Sequence, residues 1–211
     1  MSEKFIKKWE GQNARILTLS FKQPTSLRTK VQVALRRIEA QVECLQTTLD
    51  KLIDRDKHLF SETVEAYSRG QHQRAKIIAN EIAELRRITN LILSSQLALE
   101  QVALKLRTVT QMGDMISVIA PATKVIENVK SGISSILPQA EKELEDIGIL
   151  LNDIMIEAGE MSGYSANITV ASEDAKSILA EAAAIAEQKM KEKLPDLPAL
   201  KQPEGFKQDF L

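Results

Sequence analysis

Four side chains in this 211-residue sequence have the types and spacing that could hold a metal ion: His58, Glu62, Glu65 and His72. A zinc or similar site needs three or four nitrogen, oxygen or sulfur donors converging on one point. Here the two histidines flank a predicted turn, and the bland reading, solvated turn residues, fits the spacing better. The carboxylates Glu141, Glu143, Glu145 and Asp146 are spaced as a helix surface rather than as a pocket. Cys44, the single cysteine, stands one residue off an apolar seam and reads as a partly buried, neutral thiol. The sequence holds no glycine-rich phosphate loop, no Cys/His ligand spacing and no nucleophile elbow. The expectation is a non-enzyme with no catalytic residue, no metal and no cofactor.

The elements that carry these residues are helices. Hydrophobic residues make up 44% and aromatics only 4%, with eight glycines and six prolines, a composition of elongated helices rather than sheets. From residue 27 to about 68, Val31, Leu35, Ile38, Val42, Leu45, Leu49 and Leu52 step alternately by four and three, a heptad seam. The next step lands on Asp56, which breaks the seam, and Leu59 resumes it. "SRGQ" at 68–71 is a helix stop, with Gly70 suited to a left-handed cap. Ala75, Ile78, Ile82, Leu85, Thr89, Ile92, Gln96, Leu99, Ala103 and Leu106 then give a second seam. Two matched seams joined by a few residues predict an antiparallel hairpin over 27–110, a rod about 60 Å long.

Shorter helices follow over 114–160. Residues 114–137 are helical in tendency despite Pro121 and Gly132. Pro138 opens an acidic helix ending near Gly159. Residues 160–170 read as a loop, and Ser172 as the cap of a last helix over 171–193, stopped by Pro195. The tail is 194–211. The fold class is therefore all-α: a long helical hairpin, shorter C-terminal helices and a short amphipathic helix in front.

Charge is split along the chain. Residues 1–110 carry 19 basic against 12 acidic side chains, and residues 111–211 carry 9 against 17. Such halves can dock on each other, on a neighbouring copy or on an anionic surface. One cysteine fits a reducing interior, and no apolar run reaches the roughly 18–20 residues of a membrane span. Neither is a signal peptide evident, so the expected location is cytoplasmic.

Both ends carry further signals. In residues 1–12, Phe5, Ile6 and Trp9 fall on one side of a helical wheel and Lys4, Lys7 and Lys8 on the other. Seated in an anionic membrane interface, each apolar residue contributes about 1.5–3 kcal/mol at most and each lysine about 1 kcal/mol. The alternative is a helix folded back on the bundle. Nucleic acid is not expected, since only Trp9 and Phe5 offer stacking beside the basic front. At the other end, Pro195 and Pro198 favour polyproline II, and Leu194 and Leu197 project at three-residue spacing. Either this is a handle for a partner's apolar groove, or a frayed terminus whose prolines end a helix.

The order of these parts resembles the ESCRT-III proteins, and more closely the archaeal CdvB-type division proteins. The stretches that carry the resemblance are "RDKHLF" at 55–60, "RAKIIANEIAELRRI" at 74–88, "LALEQVALKLRTV" at 97–109 and "SILPQAEKELEDIGILLNDI" at 135–154. They span an ESCRT-III-like core over about 25–160. The resemblance implies a subunit that polymerises, with itself and with paralogues, into filaments on the inner face of the cell membrane. It implies a closed form in which a late helix packs on the hairpin, and an open form that stacks. It also implies disassembly by an AAA ATPase of the CdvC type, whose MIT domain takes the tail through Leu194, Pro195, Leu197 and Pro198. The founding members continue into a winged-helix-like segment, which makes this chain resemble a shorter paralogue. The competing expectation is a coiled-coil adaptor that never polymerises.

Overall fold

The computed structural model describes residues 26–109, 112–162 and 168–195. Five helices run through them: α1 Leu27–Ser68, α2 His72–Arg107, α3 Met112–Ile133, α4 Pro138–Ser162 and α5 Ile168–Lys193. No strand occurs among the described residues. The expected N-terminal amphipathic helix lies outside them.

Helix α1 starts where its sequence supplies a cap. The Ser26 hydroxyl oxygen accepts from the Thr29 N–H at 3.2 Å, satisfying one donor of the first turn. Its other end closes on Gly70, which sits at φ +73°, a backbone conformation side chains resist. Gly70 N–H donates to the Tyr67 carbonyl at 3.0 Å and Gln71 N–H to the Ala66 carbonyl at 2.9 Å. These two bonds make a Schellman turn and reverse the chain within three residues. α2 therefore runs back along α1, as the matched seams predict.

The seams face each other over the length of the hairpin. Ile38, Leu45 and Leu49 of α1 and Ile92, Leu99 and Leu106 of α2 are buried. Each contributes about 1.5–3 kcal/mol by leaving water. The polar seam residue Gln96 reaches across to α1, where its Nε2 donates to Gln46 Oε1 at 2.8 Å.

Burial on α2 changes along its length. Every residue from Ile92 to Leu99 is buried or half-buried, because α1, α3 and α5 all pack around this stretch. Towards the turn only α1 remains. Two cores result: a large one shared by all five helices, and a small one at the hairpin tip made of Leu59, Ile78 and Ile82 with Phe60 and Leu85 against them.

Helices α3 and α4 pair through Val125, Ile126, Val129 and Ile133 on one side and Leu144, Ile147, Leu151 and Ile154 on the other. The α4 residues repeat by three and four, a third seam. Pro121 sits inside α3, at the cost of one backbone hydrogen bond. Helix α5 lies on α2 and α3 through Ala175, Ala182 and Ala186, small side chains that let the helices approach closely, with Ile178 among them.

Three local expectations are corrected. α4 continues past Gly159 to Ser162. α5 begins at Ile168, which places Ser172 inside the helix rather than at its cap. Burial of Ala171 rewards an extra helical turn, and packing overrides the capping preference of serine. Cys44 is exposed rather than partly buried, since Leu45 takes the seam position beside it.

Candidate functional site

Among the described residues, polar side chains link the two halves of the chain in two places. The first is the flank of α1 under α4. Lys30 Nζ donates to Glu157 Oε2 at 2.7 Å, with both side chains largely covered. Two turns along α1, Arg37 Nη2 reaches Glu143 Oε2 at 3.0 Å and Asp146 Oδ2 at 3.3 Å. The acidic excess of the second half is thus spent partly on the basic start of the hairpin. Lys130 and Glu145, 3.9 Å apart, add a looser pair between α3 and α4. Arg28 and Arg36, on the same helix as Lys30 and Arg37, are left exposed to solvent.

The second place is where the large core ends. Asp56, the residue that breaks the α1 seam, is 1% exposed. Arg86 of α2 meets it side-on, Nε to Oδ2 at 2.7 Å and Nη2 to Oδ1 at 3.0 Å. A carboxylate this deep is tolerated because both oxygens are paired. Arg86 Nη1 donates to a third acceptor, the Pro195 carbonyl, at 2.8 Å. The last turn of α5 lies alongside, with Lys189, Met190 and Lys193 in the cleft lined by Leu49, Ile53, Thr89 and Leu93.

The residues expected to act on partners divide accordingly. Lys4, Phe5, Ile6, Lys7, Lys8 and Trp9 lie outside the described residues, as do Leu197 and Pro198. Leu194 is only 7% exposed, and its N–H donates to the Met190 carbonyl at 3.1 Å. Pro195 is exposed apart from its bond to Arg86. The first residues of the tail therefore belong to the folded body rather than to a free peptide. Arg86 is the residue that reading the sequence missed. Its signal was Asp56: an acid in a seam requires a cation on the facing helix.

Nothing brings the possible metal donors together. His58 Nδ1 lies 3.1 Å from Glu62 Oε1, while His72 stacks edge-on against Tyr67 with ring centroids 5.1 Å apart. No group of three or more His, Cys, Asp or Glu converges among the described residues. The perturbed carboxyls are surface ones. The hydrogen bond from Arg87, followed by its charge, holds Glu84 below the usual carboxylate range, and Lys191 does the same to Glu187. No described helix is long and apolar enough to cross a membrane.

Among the described residues, the chain is a helical hairpin against which its own acidic half packs. Comparison with known proteins places it more narrowly. Over 199 residues, covering 94% of this chain and 92% of the relative, it is 40% identical to Cell division protein B1 of Sulfolobus acidocaldarius. Over 162 residues, covering 77% of this chain and 62% of the relative, it is 35% identical to Cell division protein B of the same organism. The chain belongs to the CdvB-type, ESCRT-III family of cell division proteins. No family model matches the sequence, and no solved structure matches it.

Proposed function

We propose that this chain is a non-enzymatic, filament-forming subunit of a cell division machinery, which polymerises on the inner face of the cell membrane and constricts it. The structure is read as the closed subunit. The observation that carries this reading is the pairing of Lys30 and Arg37 with Glu157, Glu143 and Asp146, which covers part of the basic flank of the hairpin. Releasing α4 and α5 exposes that flank and the aliphatic faces beneath, and copies of the hairpin then stack side by side with themselves or with paralogues. The membrane contact is made by Phe5, Ile6 and Trp9 with Lys4, Lys7 and Lys8. A single copy binds reversibly, and linked copies bind firmly. ATP enters only through the partner, an AAA ATPase whose MIT domain takes the tail at Leu194, Pro195, Leu197 and Pro198.

Reversing the acids tests this on the full chain. Glu143→Lys, Asp146→Lys and Glu157→Lys together set like charges against Arg37 and Lys30 and favour the open form. With anionic vesicles, electron microscopy of this variant should show filaments at concentrations where the wild type shows few. A variant that exchanges amide hydrogens as an opened chain yet stays in small oligomers, with and without lipid, would support a non-polymerising adaptor instead.

A further inference from the structure

The outer face of α4 carries two large apolar side chains that no described helix covers. Ile149 is 57% exposed and Ile156 52%, although Ile147, Leu151 and Ile154 on the inner face are fully buried. Seven residues apart, the two isoleucines stand on one line, two turns from each other. Beside Ile149 a groove of about 300 Å³ runs between α3 and α4, lined by Thr123, Ile126, Lys130, Glu145 and Asn152. Gly148 opens its floor, since a Cβ there would stand 4.0 Å from Ile126 Cγ2.

Acids frame this apolar strip. On the α4 wheel, Glu145 flanks Ile149 on the α3 side and Asp146 and Asp153 on the other, with Glu160 beyond Ile156. Arg37 holds Asp146, and Lys130 loosely holds Glu145. Asp153 and Glu160 are exposed and have no ion pair among the described residues. Lys142 is the one cation of α4. A helix that fits here carries an apolar strip bordered by cations.

Residues 1–12 have that pattern, with Phe5, Ile6 and Trp9 on one side of the wheel and Lys4, Lys7 and Lys8 on the other. The chain also reaches. Lys30 meets Glu157 at 2.7 Å, so α1 starts beside the end of α4. Ile149 lies eight residues back along α4 from Glu157, about 12 Å away. The sixteen residues from 10 to 25 can extend over about 50 Å.

We infer that the groove between α3 and α4 is a docking site for residues 1–12 of the same chain. Phe5, Ile6 and Trp9 seat on Ile149 and Ile156, and the lysines face Glu145, Asp153 and Glu160. The consequence for lipid rests on the reading of this segment as the membrane contact: the same three apolar side chains serve groove or bilayer, never both. Groove and lipid compete, and the apparent membrane affinity falls with the fraction of subunits whose segment is free. The plainer reading is two solvated isoleucines on a helix surface, with Trp9 in water until it meets lipid.

Trp9 is the single tryptophan of the chain, so its fluorescence reports the site. In the full-length protein without lipid, Trp9 should emit at short wavelength and be shielded from acrylamide. Ile149→Gln with Ile156→Gln leaves the buried side of α4 intact. In this variant the emission should move to longer wavelength, and quenching should rise to that of a synthetic peptide of residues 1–12. With about nine subunits in ten docked, the variant should bind anionic vesicles about tenfold more tightly than wild type. Wild-type Trp9 as quenchable as the peptide, or shielding that survives the double substitution, would overturn the docking site. Shielding lost on dilution would put a second copy's segment in the groove and overturn docking within one chain. Equal vesicle affinity in a variant whose Trp9 is released would overturn the competition. If neither chain binds vesicles, the membrane reading falls, and the quenching measurement still decides the groove.

Discussion

Lys30 and Glu157 lie 127 residues apart in the chain and 2.7 Å apart in space. This contact joins the basic opening of the hairpin to the end of the acidic helix, with the side chains 29% and 17% exposed. The neighbouring pairs of Arg37 are more open to water, and the difference sets their energetic weight.

Lys30→Ala should therefore lower stability by about 1–2 kcal/mol in a urea titration, the range for a partly covered charged hydrogen bond. Arg37→Ala should cost less than about 1 kcal/mol, since its partners sit in solvent and salt screens them. Equal losses would mean that the closure of α4 is not graded by burial.

At the buried ion pair, Asp56→Ala should cost about 3–5 kcal/mol by leaving Arg86 partly buried without its counter-charge. Asp56→Leu with Arg86→Met should bring stability back to within about 1 kcal/mol of wild type, or above it. Chemical denaturation of the two variants checks this. A double variant as unstable as the single one would show that the ion pair holds the hairpin together by more than its charge balance.

Gly70→Ala meets no steric obstacle, since nothing lies within 4 Å of an added Cβ. The cost is the backbone: at φ +73° an alanine loses about 1–2 kcal/mol. The thermal midpoint should fall by a few degrees, with the helical circular dichroism unchanged. An unchanged midpoint would mean that the turn relaxes into another conformation.

For the membrane contact, Phe5→Glu with Trp9→Glu should abolish co-sedimentation with anionic vesicles while leaving the folded core intact. Retained binding would assign the lipid contact to other residues. If, as proposed, Lys4, Lys7 and Lys8 contribute to binding, raised salt should weaken that of the wild type.

The hairpin was legible because its information is local and periodic. Val31 to Leu52 and Ala75 to Leu106 repeat every three and four residues, and Gly70 marks the reversal between them. What escaped the reading was long-range. Asp56 was visible as a break in the stripe, but its meaning required Arg86, thirty residues away, to be set opposite it. Leu194 looked like part of a free peptide because Pro195 and Pro198 follow it, whereas its burial depends on how far α5 reaches along the hairpin. Ser172 shows the same limit: its capping preference is intrinsic, and the burial that outweighed it is not. The partners of Arg37 and Lys30 were foreseen only as a charge imbalance between halves, since net charge carries no register.

If, as proposed, closure of α4 over the hairpin controls assembly, a reversible staple across Lys30 and Glu157 should block it. Exposed Cys44 is first replaced by serine, and Lys30→Cys and Glu157→Cys are joined by a short, cleavable bismaleimide. With anionic vesicles, the stapled chain should remain in the supernatant on sedimentation, and cleaving the linker should send it into filaments that pellet. Stapled chain that pellets as readily as cleaved chain would show that assembly proceeds without opening, and would contradict the account.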